Sequence, residues 1–246
     1  LRDRVVEAAG LTGDDEVLEV GAGPGILTIG LVARARRVVA VELDRRQLPA
    51  LKTAAPGAEI VQGDILQLDL SELFPRGGEV VVGNIPYYLT GALITRLLEE
   101  PPRPRRLSLV VQREVAERWC GQGGWSLSTV VVQTFTEPRI ELDLPPEAFS
   151  PRPRVHSALV VMDVRPEPAI RAPDLPTFFR FAGAVFQFRR KQLAAALGRV
   201  TGMSRPDVTR RLRELGIEPE CRAETLALPD WERLYERFAG QDPAAR

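Results

Sequence analysis

Apolar residues cluster in short continuous runs along the first half of the chain and in helically spaced stripes near its end. A short apolar run bounded by turn residues predicts a buried strand. Such runs predict strands over 17–20, 37–42, 59–61, 79–83 and 106–112. The amphipathic stretches between them predict helices: one after the glycine turn to residue 34, one over 45–52, one over 90–99 capped by Thr90, and one over 113–120. Strand and helix alternate, so the expected core is an α/β unit with a parallel, doubly wound sheet. Residues 126–135 are apolar enough for either a helix or a buried strand. Two late strands are expected over 139–144 and 155–164, joined by a proline-rich loop. Beyond Arg165-Pro166-Glu167-Pro168 the pattern turns wholly helical, with candidates at 174–187, 189–199, 205–215 and 230–239. That shift predicts a boundary near residue 168, with units over 1–168 and 169–246. Trp231, Leu234 and Phe238 fall on one helical face and read as core.

Composition changes this picture little. Apolar residues make up 44% and charged residues 27% of the 246, ordinary values for a globular protein. No apolar run reaches the length of a membrane span, and no secretory leader is recognisable. Cys120 and Cys221 lack metal-ligand spacing and read as free thiols in a reducing cytoplasm. No metal is implied. The only histidine, His156, reads as a satisfied structural residue on the last strand.

Charge is more informative. The formal total is zero, yet residues 1–150 carry 16 basic and 21 acidic residues, a net −5, and residues 151–246 carry 17 and 12, a net +5. The basic excess is almost all arginine, which forks onto phosphates and stacks on bases. A neutral total therefore conceals a dipolar molecule whose C-terminal part can face RNA. Solvated helix faces would give the same count.

The first candidate for chemistry is the turn Gly21-Ala22-Gly23-Pro24-Gly25, placed between an expected strand and an expected helix. Glycines admit close approach of backbone to a ligand, and a helix start offers free N–H groups. The dinucleotide fingerprint requires a third glycine where this chain has Ile26, which disfavours an NAD-dependent oxidoreductase. Three acids follow the pattern: Glu19 just before the turn, Glu42 ending the second strand, and Asp64 after the third. Each alone reads as a cap or a solvated charge. Together, at strand ends beside the turn, they predict a nucleoside site, with Glu42 placed to accept from ribose hydroxyls. Asp64 is placed to accept from an exocyclic adenine amine, with Ile65 against the ring.

The second candidate is Asn84-Ile85-Pro86-Tyr87, following the apolar run Val80-Val81-Val82-Gly83. Asparagine offers an acceptor and a donor, and tyrosine a face on which a base can stack. Proline stiffens the turn. The pair of motifs points to methyl transfer onto the amino group of a base. A small-molecule or protein methyltransferase would keep the glycine turn and Glu42 without needing this tetrapeptide beside an aromatic-proline loop.

These motifs, with Val41-Glu42-Leu43-Asp44, Gly63-Asp64, Gln112-Arg113-Glu114-Val115 and Phe149-Ser150-Pro151-Arg152-Pro153-Arg154-Val155, resemble those of the ribosomal RNA adenine dimethyltransferases. The resemblance runs from residue 1 to about 239. It departs at 119–128, where the loop is short, and at Phe188, where the family often has a polar residue. It also begins after the Gln-(Asn/His)-Phe-Leu segment with which the family usually covers the cofactor. The implied fold is a Rossmann-like S-adenosyl-L-methionine-dependent methyltransferase domain, residues 1–168, with a small all-helical RNA- or ribosome-binding domain, residues 169–246. The implied cofactor is S-adenosyl-L-methionine, held by Glu19, Gly21, Gly23, Gly25, Glu42, Leu43, Asp64, Ile65 and Asn84. The implied catalytic group is Asn84, Ile85, Pro86, Tyr87 and Phe149. Arg152, Arg154, Arg189, Arg190 and Lys191 are the implied RNA contacts.

Two branches share these motifs: small-subunit dimethylases and large-subunit enzymes conferring macrolide resistance. Phe186-Gln187-Phe188-Arg189-Arg190-Lys191-Gln192-Leu193 and the segment from Leu215 to Glu224 resemble the small-subunit branch. The resemblance thus implies a cytoplasmic, monomeric enzyme that dimethylates adjacent adenosines near the 3′ end of small-subunit rRNA within a pre-ribosomal particle. A non-catalytic RNA-binding assembly factor on the same fold is the remaining alternative.

Overall fold

The structure, a computed structural model, describes residues 2–239. Residue 1 and residues 240–246, the outer ends of the two expected units, lie outside the described residues. The first part runs α1 (Arg2–Ala8), β1 (Glu16–Val20), α2 (Ile26–Val32), β2 (Arg37–Glu42), α3 (Leu48–Ala54), β3 (Glu59–Gln62), α4 (Leu70–Leu73), β4 (Val80–Asn84), α5 (Thr90–Glu99) and β5 (Arg106–Gln112). It continues through α6 (Arg113–Trp119), α7 (Leu127–Phe135), β6 (Thr136–Leu144) and β7 (Ser157–Val164). Four helices complete the described chain: α8 (Leu175–Phe186), α9 (Leu193–Thr201), α10 (Arg205–Glu214) and α11 (Leu228–Phe238).

The strands form one seven-stranded sheet in the order β3-β2-β1-β4-β5-β7-β6. The first five are parallel, as expected from the βα alternation. The two late strands, whose direction was not legible in the sequence, run the other way: β7 is antiparallel to β5, and β6 antiparallel to β7. No α-helix separates β6 from β7, so the chain makes no crossover there and returns directly. Strand order reverses between β1 and β4, so a crevice opens at their C-terminal ends. Gly83 allows this pair to approach, because a Cβ there would meet the Val20 carbonyl oxygen at 2.7 Å.

Apolar layers cover both sheet faces. One contains α1 and α2, with Val5, Val6 and Leu31 buried against β1, β2 and β4. The other contains α5 and α7 and continues without a break into α8–α11. Phe135 on α7 meets Phe179 on α8 at 5.6 Å between ring centres, and Phe186 meets Trp231 at 4.8 Å. Trp231, Leu234 and Phe238 are buried, as their spacing predicted.

Local corrections follow from capping. Residues 126–135 resolve as a helix because Ser126 and Thr129 form a reciprocal capping box. Thr90 does not cap α5; it is the first helical residue, and its hydroxyl donates to the Pro86 carbonyl at 3.4 Å. The helix expected from 189 begins only at Leu193, which leaves Arg189–Lys191 in a turn closed by Lys191 N–H donating to Phe188 O at 2.8 Å. His156 precedes β7 and is exposed, not a satisfied core residue. Helices α1 and α4 were not anticipated; α4 spans only 4 residues, begun by Asp69 accepting from Ser71 N–H at 2.8 Å.

Candidate active site

The glycine turn leaves β1 with Gly21, Gly23 and Gly25 all at positive φ, at 71°, 55° and 94°. Gly21 and Ala22 N–H both donate to Val41 O, at 2.9 and 3.2 Å, which ties the turn to β2. A Cβ on Gly23 would meet no protein atom within 4 Å, so space beside the turn is open. Glu42 fixes the turn from the neighbouring strand: its carboxylate accepts from Gly23 N–H and from Asp44 N–H, each at 2.7 Å. A carboxylate has about four acceptor sites, so capacity remains after two backbone bonds.

Glu19 lies deeper, at 1% exposure. Burial pushes its carboxyl up to about 7. The nearby Thr28 hydroxyl opposes that shift without a full hydrogen bond, and the Glu42 charge adds to it. Glu19 Oε2 and Thr28 Oγ both remain without a hydrogen-bond partner among the described residues. Orphaned buried oxygens beside open space suit a ligand that brings donors.

Beyond β3, the loop 64–68 folds on Asp64. Its Oδ1 accepts from Leu66 N–H at 2.9 Å, and its Oδ2 from the Gln67 side-chain amide at 3.3 Å. Ile65 is buried under this loop, while Leu43 is exposed on the opposite lip.

Asn84 ends β4 with its side chain exposed, and its amide has no hydrogen-bond partner among the described residues. Ile85 behaves differently: its side chain is buried, and its N–H donates to Val110 O at 3.1 Å. Pro86 O accepts from Leu89 N–H at 2.9 Å, so the tetrapeptide is built onto the start of α5. Tyr87 is oriented by a 3.2 Å hydrogen bond between its hydroxyl and Ser157 Oγ at the start of β7.

Three hollows converge here. One of about 400 Å³ is lined by Glu19, Gly21, Gly23, Ile26, Asn84 and Phe149. A second of about 400 Å³ is lined by Glu42, Leu43, Asp64, Ile65, Asn84 and Tyr88. A third of about 270 Å³ is lined by Asn84, Ile85, Pro86, Tyr87, Phe149 and Pro151. Asn84 is shared by all three. The structure thus gathers every sequence-expected cofactor and catalytic residue except Gly25, whose added Cβ would instead meet Leu51 and Ala54 at 3.1 Å. Gly25 packs α2 against α3 and lines none of the three hollows.

The expected RNA contacts lie outside these hollows. Arg152 pairs with Glu147. Arg154, Arg189, Arg190 and Lys191 are exposed. Arg2 and Tyr88 line the hollows and were not anticipated. Tyr88 is 84% exposed, and its place directly after the tetrapeptide was the available signal.

A sheet of five parallel strands with an antiparallel pair at one side, a glycine turn at its switch point, an acid on the second strand and Asn-Ile-Pro-Tyr at the end of the fourth defines a Rossmann-like methyltransferase. The family model for ribosomal RNA adenine dimethylases matches residues 1–240. The ribosomal RNA small subunit methyltransferase A of Pelotomaculum thermopropionicum is 39% identical, covering 96% of this chain and 86% of that protein. Its counterpart in Cereibacter sphaeroides is 40% identical, covering 98% and 88%. Among solved structures, the 23S rRNA methyltransferase ErmE superposes with a TM-score of 0.72 at 30% identity, covering 96% of both chains. A dimethyladenosine transferase from Plasmodium falciparum shares the fold, with a TM-score of 0.76 at 23% identity over 98% of this chain and 96% of that one.

The chain belongs to the ribosomal RNA adenine dimethylase family. It is an rRNA adenine methyltransferase, and S-adenosyl-L-methionine is its cofactor. The open glycine turn, the spare acceptor capacity of Glu42 and the orphaned Glu19 oxygen fit that molecule. No helix among the described residues is long and apolar enough to cross a membrane.

Proposed function

We propose that this protein dimethylates N6 of adjacent adenosines near the 3′ end of small-subunit rRNA in a cytoplasmic pre-ribosomal particle, acting as a monomer. The observation that carries the reading is the position of Asn84 where the three hollows meet. A residue that must see cofactor and target base together belongs at such a junction.

In this reading the hollow between Glu42 and Tyr88 takes the adenosine of the cofactor. Glu42 accepts from the ribose hydroxyls, and Asp64 and Ile65 hold the adenine beside Leu43. The hollow around Glu19, Gly21 and Gly23 takes the methionine part. Gly25 contributes by packing α2 rather than by contact. The bound cofactor supplies an electrophilic methyl group.

The third hollow takes an adenine extruded from its stack. Tyr87 offers its face, held in place by Ser157, and Phe149 closes the other side. The side-chain carbonyl of Asn84 and the Ile85 carbonyl accept from the target N6 amine. These bonds draw the amine toward a tetrahedral shape and direct its lone pair. No strong base is required, because the nitrogen becomes acidic once it is cationic. Rate enhancement then comes from orientation and fixed dipoles.

Residues 1–168 would form the catalytic unit and residues 169–246 the RNA-facing unit. Arg154, Arg189, Arg190 and Lys191 are exposed cations suited to phosphate. Arg152 would join them by exchanging its Glu147 partner for phosphate. The small-subunit target is supported by the names of the relatives near 40% identity, against 30% for ErmE.

The test is methyl transfer from labelled S-adenosyl-L-methionine to unmethylated small and large ribosomal subunits in parallel, with nucleosides identified. Dimethyladenosine in the small subunit alone is expected. Label in the large subunit alone would reassign the target. Cofactor binding without label in either would support a non-catalytic assembly role.

A further inference from the structure

The second hollow has two walls with no strand pairing between them. One is the loop 64–68, which follows β3, the outermost strand of the sheet. The other is the start of α5, where Tyr88, Leu89 and Ala92 line the same space. Four residues after Ala92, on the same face of α5, stands Arg96. Its Nη1 donates to Ile65 O and its Nη2 to Leu68 O. Its Nε donates to Glu100 at 3.1 Å. The side chain is only 15% exposed.

We propose that Arg96 is a positioning residue: its guanidinium splints the adenine-side loop to α5 and so sets the distance between the cofactor adenosine and the Asn84–Tyr87 turn. The proposal rests on the cleft being the S-adenosyl-L-methionine site. A planar fork can hold two carbonyls at fixed separation, which a single ammonium cannot. Both carbonyls belong to the loop that carries Asp64 and Ile65. At the other end, α5 begins at Thr90, two residues separating it from the tetrapeptide, and its N-cap Leu89 donates its N–H to Pro86 O. One arginine therefore links the two halves of the ligand-binding surface. Loosening it moves the wall against the adenine without touching Asn84.

The experiment compares wild type with Arg96→Met and Arg96→Lys in full-length protein. It measures affinity for S-adenosyl-L-methionine and for 5′-methylthioadenosine, which keeps only the adenosine half, together with KM, kcat and unliganded melting temperature. For Arg96→Met the expected result is about a tenfold weaker affinity for both ligands, since removal of the charge-assisted bonds acts on the loop. KM for cofactor should rise in parallel, with kcat at saturation within about threefold and KM for RNA unchanged. Arg96→Lys should weaken binding by a smaller factor, and it carries the test if the methionine variant does not fold. A lowered melting temperature with unchanged cofactor KM would overturn the proposal, leaving Arg96 a purely structural tie. A fall in kcat at unchanged KM would overturn it as well. Failure of wild type to bind the cofactor would instead sink the reading of the cleft on which the proposal stands.

Discussion

The cleft at the strand ends and the turn between α8 and α9 handle polar chemistry in opposite ways. In the cleft, Glu42 and Asp64 already hold fixed partners, mostly backbone N–H groups, before any ligand arrives. In the turn, Arg189, Arg190 and Lys191 are exposed and carry no ion pair among the described residues, whereas Arg210 nearby in sequence pairs with Asp207 and Glu214. The difference matches what the proposed function asks of each surface. A small cofactor needs acceptors at fixed points, so the fold uses neighbouring backbone to aim them. A polyanion needs charge that is free to adapt, and such charge is left without protein partners.

The sharpest break in that comparison is Asn84→Ala. Removing a single aimed polar group from an active site costs about 10²–10³ in kcat. Cofactor affinity should persist, because the Glu42 and Asp64 bonds are untouched; equilibrium binding beside single-turnover methylation checks both parts. Loss of cofactor binding would mean that Asn84 serves the cofactor rather than the target base.

Glu19 gives the next largest effect. Its carboxyl sits near 7 in the folded protein against an ordinary 4.5. Below pH 4.5 both folded and unfolded chains are protonated, and this group imposes no penalty. Between 4.5 and 7 the unfolded chain releases its proton first, so the folded state loses stability as pH rises. The loss approaches about 3 kcal/mol above pH 7. Glu19→Gln should therefore be more stable than wild type at pH 8 and nearly equal to it at pH 4.5. Urea denaturation without cofactor at both pH values measures the gap, and a gap independent of pH would refute the assignment.

The smallest effect belongs to the turn. Charge reversal at Arg189 and Arg190 should weaken RNA binding and reduce the salt dependence of log Kd by roughly one unit for each phosphate that is no longer neutralised. Cofactor affinity should not change. An unchanged salt slope would move the RNA surface elsewhere on the molecule.

Much of this was legible in the chain. The five parallel strands announced themselves through apolar runs, and the residues that line the cleft through glycines, acids and Asn-Ile-Pro-Tyr at strand ends. Strand direction was not legible for β6 and β7, because alternation shows which face a residue takes and not which way the strand runs. The helix at 127–135 was ambiguous by periodicity and was decided by the Ser126–Thr129 cap. Arg96 was invisible for a different reason. Its i,i+4 pairing with Glu100 could be read from spacing, but its partners on the loop are backbone carbonyls, which have no sequence signature. The role of Gly25 was hidden because two uses of glycine, ligand approach and helix packing, look identical in a sequence.

Phe149 sits in a loop whose two ends, Leu144 and Ser157, are paired with each other across β6 and β7. The loop therefore closes on itself, and it is tied to the start of α6 by Arg113 N–H donating to His156 O at 3.0 Å. Residues can be added to such a closed loop at slowly growing entropic cost. Phe149 lines two of the hollows, so in the proposed reading a change at this residue reaches the target base and the methionine part of the cofactor together. A lineage that keeps Ala148, Phe149 and Ser150 and rewrites 151–156 would alter the target side alone, and a laboratory graft of that shorter segment between relatives would be the experimental form of the same event.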